Sequence, residues 1–149
     1  LHRGYGTRYT LMFDTTAKGD PGEDGDGCEI RVYDAVAEGW DTVEGMSGGQ
    51  EVLIELAASL SIGALACHGA GIRRPTLARD EADAHLRPEH ARAYARILML
   101  GAELMEADVV LVVSHRDEVL AHADAVIHVA DGTARLMSVD AWRGLTAAG

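Results

Sequence analysis

Three groups of residues in this sequence could do chemistry together. Met46-Ser47-Gly48-Gly49-Gln50 stands just ahead of a helical apolar pattern. Its two glycines let the backbone approach an anion closely, Ser47 adds a hydroxyl, and a helix N-terminus offers free N–H groups and the positive end of a dipole. Asp80-Glu81 closes a short strand-like stretch. Adjacent carboxylates at a strand end can divide labour, one facing a hydrated Mg²⁺ while the next polarises a water in front of a phosphoryl group. His115 follows the run VVLVV over 109–113, where the C-terminal edge of a parallel sheet presents ligand-binding groups. Taken singly each is weak: Ser-Gly-Gly reads equally as a capped turn, acidic pairs occur on any surface, and a histidine at a strand end is ordinary. Their shared aptitude for phosphate, in this order along one chain, is what counts.

The elements that must position them follow from periodicity. Residues 7–13 and 29–36 alternate apolar and polar positions and are rich in β-branched and aromatic types, which predicts two strands of a hairpin. The Gly- and Asp-rich stretch 14–27 between them predicts a long acidic loop; it lacks the alternating ligands and terminal Glu of an EF-hand. Val52, Leu53, Leu56, Ala57, Leu60 and Ile62 recur at helical spacing, with Ser47 as N-cap and Gly63 as the expected stop. After a Gly/Arg/Pro segment, 76–79 predicts a short strand, and Pro88 opens a helix that runs to about Met105 with Ala91, Tyr94, Ala95, Leu98 and Ala102 on one face. The β-branched run 109–113 predicts a strand buried on both faces. A short helix over 118–122, a strand over 125–129, a tight Asp131-Gly132 turn and a strand over 134–139 complete the pattern.

Composition narrows the function classes. The 149 residues suffice for one domain, and 24 acidic against 13 basic side chains give a formal charge of −11. That balance argues against direct duplex binding, which runs on phosphate neutralisation by Lys and Arg. Lys18 is the only lysine, and no G-x-x-x-x-G-K-[ST] surrounds it, so the sequence carries no Walker A phosphate loop. Cys28 and Cys67 are far apart and in no metal or redox spacing, which predicts bystander thiols. No apolar run approaches the roughly 20 residues of a membrane span, and residues 1–6 lack the apolar core of a signal peptide. The expectation is a cytoplasmic protein without a membrane partner. A start at Leu1 rather than Met predicts a trimmed product or a fragment of something longer.

MSGGQ, then DEADAHL, then VVLVVSH resemble, in order, the signature loop, the Walker B strand with its D-loop, and the H-loop of an ATP-binding cassette (ABC) ATPase. The resemblance covers the chain from about Val43 to Val139. It implies an α/β fold, the C-terminal half of a P-loop NTPase-like ABC head, with parallel core strands flanked by helices plus β-hairpins. It further implies that Ser47, Gly48, Gly49 and Gln50 bind the γ-phosphate of an ATP held by a partner lobe. On the same basis Asp80 sits behind the Mg²⁺, Glu81 is the general base, His115 contacts the γ-phosphate, and residues 83–87, beginning with Asp83, form the D-loop.

Within that family, a transporter cassette usually carries an Arg-containing stretch after the signature, where this chain has Glu51-Val52-Leu53-Ile54-Glu55-Leu56-Ala57. Ser47 and Asp80 also lie about 33 residues apart, long for a transporter's compact connection. The upstream hairpin and the missing phosphate loop instead look like the C-terminal lobe of an SMC-like ATPase of the SbcC or RecF kind, serving DNA double-strand break repair or recombination. This implies an N-terminal lobe bearing Walker A on the same or a companion chain, a homodimer of heads, a nuclease partner, and DNA contacts on other surfaces. Without its partner lobe the chain is expected to be inactive. A transporter subunit fragment and a non-hydrolysing regulatory lobe are the rival readings. Arg79, at the last Walker B strand position where an apolar residue is usual, and Arg87, where the D-loop normally has Asp, depart from the pattern. Arg79 reads as a snorkelling strand-end residue, or as one that pairs with a neighbouring carboxylate or lines the cleft; His85 and His90 read as solvated or capping, His122 and His128 as surface or half-buried, and Trp40 as packing.

Overall fold

The structure is a computed structural model that describes residues 8–15 and 29–146. The acidic stretch 16–27, Lys18 and Cys28 lie outside the described residues. Strands β1 (Tyr9–Asp14) and β2 (Glu29–Asp34) pair antiparallel as expected, with Tyr9 opposite Asp34. A third strand, β3 (Gly39–Thr42), pairs on the other edge of β2. It is an addition to the expected hairpin: four residues with one aromatic are too short to show a period. Trp40 on β3 is half exposed rather than core, with its ring centroid 5.3 Å from that of Tyr33. Arg8 hydrogen-bonds the Asp34 carboxylate through Nε and Nη2, and this holds the Asp34 pKa down at about 2.

A single 3-10 turn (Val43–Gly45) leads into helix α1 (Gly48–Ala70), which is longer than expected. Gly63 does not stop it. Glycine inside a helix costs about 1 kcal/mol relative to Ala, and Ala64, Leu65, Ala66 and Cys67 carry the helix on. The stop is Gly71, left-handed at φ 66°, with its N–H on the His68 carbonyl and the Ile72 N–H on that of Cys67. Because α1 runs on, it is 23 residues long and contains an 18-residue window with a mean hydropathy of 1.6, long and apolar enough to cross a membrane by length and composition. The expectation that no segment approaches that size is therefore corrected. Leu53, Ile54, Leu56, Ala57, Ala58 and Leu60 of α1 are nonetheless buried inside the protein.

Strand β4 (Thr76–Asp80) and strand β5 (Val109–Val113) are parallel neighbours, joined through helix α2 (Pro88–Leu104). Pro88 sits at the start of α2, as its fixed φ favours. The short helix α3 (Asp117–Leu120) follows β5, then the antiparallel pair β6 (Val126–Ala130) and β7 (Thr133–Met137), turned by Asp131 and Gly132 at positive φ. The last described element is a further helix, α4 (Val139–Thr146), which the strand pattern over 134–139 conceals by running through its cap. Ser138 Oγ accepts the Ala141 N–H there, the mark of a helix start.

Two cores result. The larger unites Leu53, Leu56 and Leu60 of α1 with Tyr94, Ala95 and Leu98 of α2, plus Leu86 and Val119. The smaller packs Tyr9 and Val32 of the first sheet against Val43 and Ile54. Leu77, Val110 and Val112 pack against the larger core, but the opposite face of the parallel pair is open: Val109, Leu111 and Val113 are 44%, 47% and 51% exposed. The expectation that 109–113 is buried on both faces is thus corrected, since the described residues cover only one side.

Helices α1 and α2 approach closely at Gly101, where a Cβ would lie 2.6 Å from Leu60 Cδ1. Gly101→Val should therefore overpack the seam and lower stability by about 1–3 kcal/mol. Urea unfolding should show the loss, with part of it recovered when Leu60 is trimmed to Ala in the same chain.

Candidate functional site

The parallel register places Asp80 opposite Val113, so the two strands end side by side. The chain then turns at Glu81, whose φ of 46° is left-handed and whose N–H donates to the Val113 carbonyl at 2.9 Å. A non-glycine residue in that region is strained, and such strain collects where a side chain must be aimed. Glu38, Arg74, Glu106 and Asp131 share the sign of φ. Glu81 differs in facing a cavity: its Oε1 lies 3.3 Å from His115 Nε2, across the ends of the two strands. Both side chains are largely exposed. With Asp83, Ala84 and Arg116 they line a cavity of about 250 Å³. Asp80 is exposed at the same strand end, and no ion pair or side-chain hydrogen bond engages it among the described residues.

Asp83 lines that cavity with its side chain almost wholly buried. At 1% exposure it is the one buried charged side chain among the described residues, and Ser114 Oγ donates to its carboxylate at 2.5 Å. The Arg116 N–H donates to the same Ser114 oxygen at 3.0 Å, and the Arg116 guanidinium donates to the Leu86 carbonyl. The segment after β5 is thereby tied to the segment after β4 at two points. Arg79 reaches the other way, donating to Ser59 Oγ on α1 at 2.8 Å, so it neither snorkels freely nor pairs with a carboxylate among the described residues. The Tyr94 hydroxyl is buried without a hydrogen-bond partner among the described residues, and burial raises its pKa.

The glycine loop forms a separate place. Ser47 is the N-cap of α1 in extended conformation, φ −67° and ψ 145°. Gln50 Oε1 accepts both the Ser47 N–H at 3.2 Å and the Ser47 hydroxyl at 2.7 Å, while Gln50 Nε2 donates to the Tyr9 hydroxyl at 2.6 Å. Gln50 therefore ties the loop to β1, while Ser47, Gly48 and Gly49 face a cavity. They line this cavity, of about 200 Å³, together with His85, Arg87 and His90. A Cβ built on Gly49 would fall on the His90 imidazole, so any side chain there must displace that ring. Sequence reasoning treats His85 and His90 as solvated or capping. Nothing in their spacing signals the loop, because their neighbours in space lie about 40 positions away. His122 is exposed and His128 half-buried, and neither lines either cavity.

The structure thus brings Glu81, His115 and Asp83 together and keeps Ser47, Gly48 and Gly49 in a different cavity. No protein-family model and no curated protein matches this chain. Solved structures do resemble it. An SMC ATPase from work on ATP-driven dimerization and DNA-stimulated activation superposes with a TM-score of 0.62 at 24% identity, over 94% of this chain and 80% of the other. An Smc head bound to the C-terminal winged-helix domain of ScpA gives 0.58 at 23%, and the Smc head with an extended coiled coil bound to a ScpA domain from Pyrococcus furiosus gives 0.57 at 21%. Those two superpositions take in 95% and 99% of this chain but only 40% and 35% of the other chains. The chain therefore shares a mixed α/β fold with the matched parts of SMC ATPase heads, as its motifs lead one to expect.

The tie at Ser114 can be measured directly. Ser114→Ala leaves the buried Asp83 carboxylate without its donor, and should destabilise the fold by about 1.5–3 kcal/mol, as for a lost hydrogen bond to a charged group. Thermal unfolding at neutral pH should show the loss, while Asp83→Asn with Ser114 intact should lose less.

Proposed function

We propose that this chain is the C-terminal lobe of an SMC-like ATPase of the SbcC or RecF kind, active when a lobe bearing Walker A completes it. The observation that carries the reading is the meeting of Glu81 and His115 at 3.3 Å across the ends of β4 and β5. Two motifs separated by more than 30 residues reach one cavity, which supports a phosphoryl-transfer site there. In this reading Glu81 takes a proton from the attacking water, and His115, beside it, orients toward the terminal phosphate. Asp80, without a partner among the described residues, suits a hydrated Mg²⁺, which takes oxygen ligands and keeps several waters. The ion supplies charge neutralisation on the phosphates. Asp83 holds the D-loop in place through Ser114 rather than touching nucleotide.

The separation of the two cavities supports a head-to-head arrangement. Ser47, Gly48 and Gly49 present an anion-binding helix start away from Glu81, which fits a loop that addresses the nucleotide of an opposing head. The open face of β4 and β5 supports a missing layer. Parallel strands are stable when both faces are covered, and Val109, Leu111 and Val113 offer the bare side an apolar surface like the one Val110 and Val112 offer the core. We assign that face to the Walker A lobe. Coupling to DNA double-strand break repair or recombination, with a nuclease partner, belongs to the same reading. With a charge of −11, DNA is held by other surfaces of the assembly.

Glu81→Gln in the complete protein should keep ATP-induced dimerisation and slow turnover by roughly two to four decades, the range for a lost acid–base group. A steady-state phosphate-release assay decides it; unchanged turnover would place the base elsewhere. Leu111→Asp should leave this chain's unfolding midpoint nearly unmoved, because the side chain is already half exposed. It should abolish co-purification with the Walker A lobe, and retained co-purification would remove that lobe from the open face.

A further inference from the structure

His115 brings little packing of its own to the candidate site. Its side chain is 83% exposed, and its one polar partner among the described residues is the Glu81 carboxylate. Where the ring stands is therefore decided by the backbone of residues 114–116. That stretch lies past the last ladder pair, Asp80 with Val113, and ahead of α3, in neither element.

Side chains hold it instead. Ser114 Oγ donates to the Asp83 carboxylate at 2.5 Å and accepts the Arg116 N–H at 3.0 Å, so one hydroxyl fastens the residues on either side of His115. Asp83 in turn belongs to the turn that aims Glu81. The Ala84 N–H donates to the Glu81 carbonyl and the Leu86 N–H to the Asp83 carbonyl, both at 3.1 Å. Glu81 sits there at φ 46°, and strain of that kind persists only where the surroundings over-determine it. The Ser114–Asp83 bond thus joins the neighbour of His115 to the turn that carries Glu81.

For the fold alone this bond is a costly arrangement. Asp83 is buried, and among the described residues no cation pairs with it and Ser114 is its side chain's one hydrogen-bond donor. A carboxylate so placed loses hydration that an apolar residue of the same size would not. Departures of this kind from local preference collect at functional sites, and Asp83 stands in the wall of the Glu81–His115 cavity.

We propose that Ser114 and Asp83 are positioning residues, whose hydrogen bond sets the approach of His115 to Glu81 and thereby the rate of turnover. The inference rests on the function proposed above and gives the pair a part in catalysis beyond fixing the loop. Both act through the backbone of their neighbours, so their loss belongs in kcat and leaves ATP binding alone.

The test measures steady-state ATP turnover of the complete protein, well below its unfolding midpoint. Ser114→Ala should lower kcat roughly ten- to a hundredfold, the scale of a small misplacement of reacting groups, with KM for ATP unchanged. Ser114→Thr, which keeps the hydroxyl, should retain most of the rate. Because Ser114→Ala also strands a buried charge, the double variant Ser114→Ala/Asp83→Leu is measured beside it. With no carboxylate left to bury, it should unfold near the wild-type midpoint yet turn over as slowly as Ser114→Ala. A wild-type kcat in the double variant, a raised KM without a fall in kcat, or a Ser114→Thr as slow as Ser114→Ala would overturn the proposal. Glu81→Gln in the same assay separates the two failures. If it slows turnover while the double variant does not, the proposed function stands and the positioning role falls; if neither slows it, both fall.

Discussion

Parallel pairing of β4 with β5 sets Asp80 opposite Val113, and the Glu81 N–H closes the last hydrogen bond of that ladder on the Val113 carbonyl. Everything at the strand ends inherits this register. A slip by one residue would turn the core-facing side chains of one strand, Leu77 of β4 or Val110 and Val112 of β5, to the other face and carry Glu81 away from His115. What forbids the slip lies behind the sheet, where those apolar side chains pack on the α1–α2 pair and Arg79 is anchored on Ser59. The geometry of the candidate site is therefore enforced by a core that itself contains none of the reacting groups.

The short segment between β4 and α2 passes this constraint on. Its residues alternate in allegiance. Asp83 and Leu86 are buried, the first held by Ser114 and the second within the large core, while Arg116 clasps the Leu86 carbonyl. His85 and Arg87, between and beside them, face the glycine-loop cavity. One loop thus forms a wall of both cavities, pinned on the side of Glu81 and His115 and cationic on the side of Ser47.

Much of this is legible in sequence, and the failures have identifiable physics. The parallel strands, α2 with its leading proline, and the hairpin at Asp131-Gly132 carry strong local signals and fall where periodicity places them. The strand β3 and the helix α4 are not legible, one being too short for a period and the other hidden because the expected strand over 134–139 runs through its Ser138 cap. Gly63 misleads because a single helical glycine is a weak stop, whereas Gly71 has the left-handed conformation that terminates a helix. At the candidate site, the residue types suited to phosphate chemistry are readable from the motifs. Burial of Asp83 and the gathering of His85, Arg87 and His90 around the loop are not, since both depend on contacts between distant segments.

The exposed faces fit the same logic. Helix α1 has the length and hydropathy of a membrane span, yet its buried side chains meet α2 and its Ser59 receives a guanidinium from β4, contacts a lipid-embedded helix would forgo. Its apolar character serves the core chiefly along the half that ends at Leu60. Beyond it, Ile62 and Leu65 emerge exposed, and Val109, Leu111 and Val113 stay uncovered on the sheet. A run such as VVLVV carries no alternation because it is suited to two apolar environments, and the described residues supply one of them. On the function proposed above, part of that strand's hydrophobic stabilisation would be gained only when the second lobe covers it, which would tie assembly of the complete sheet to the same strand that presents His115.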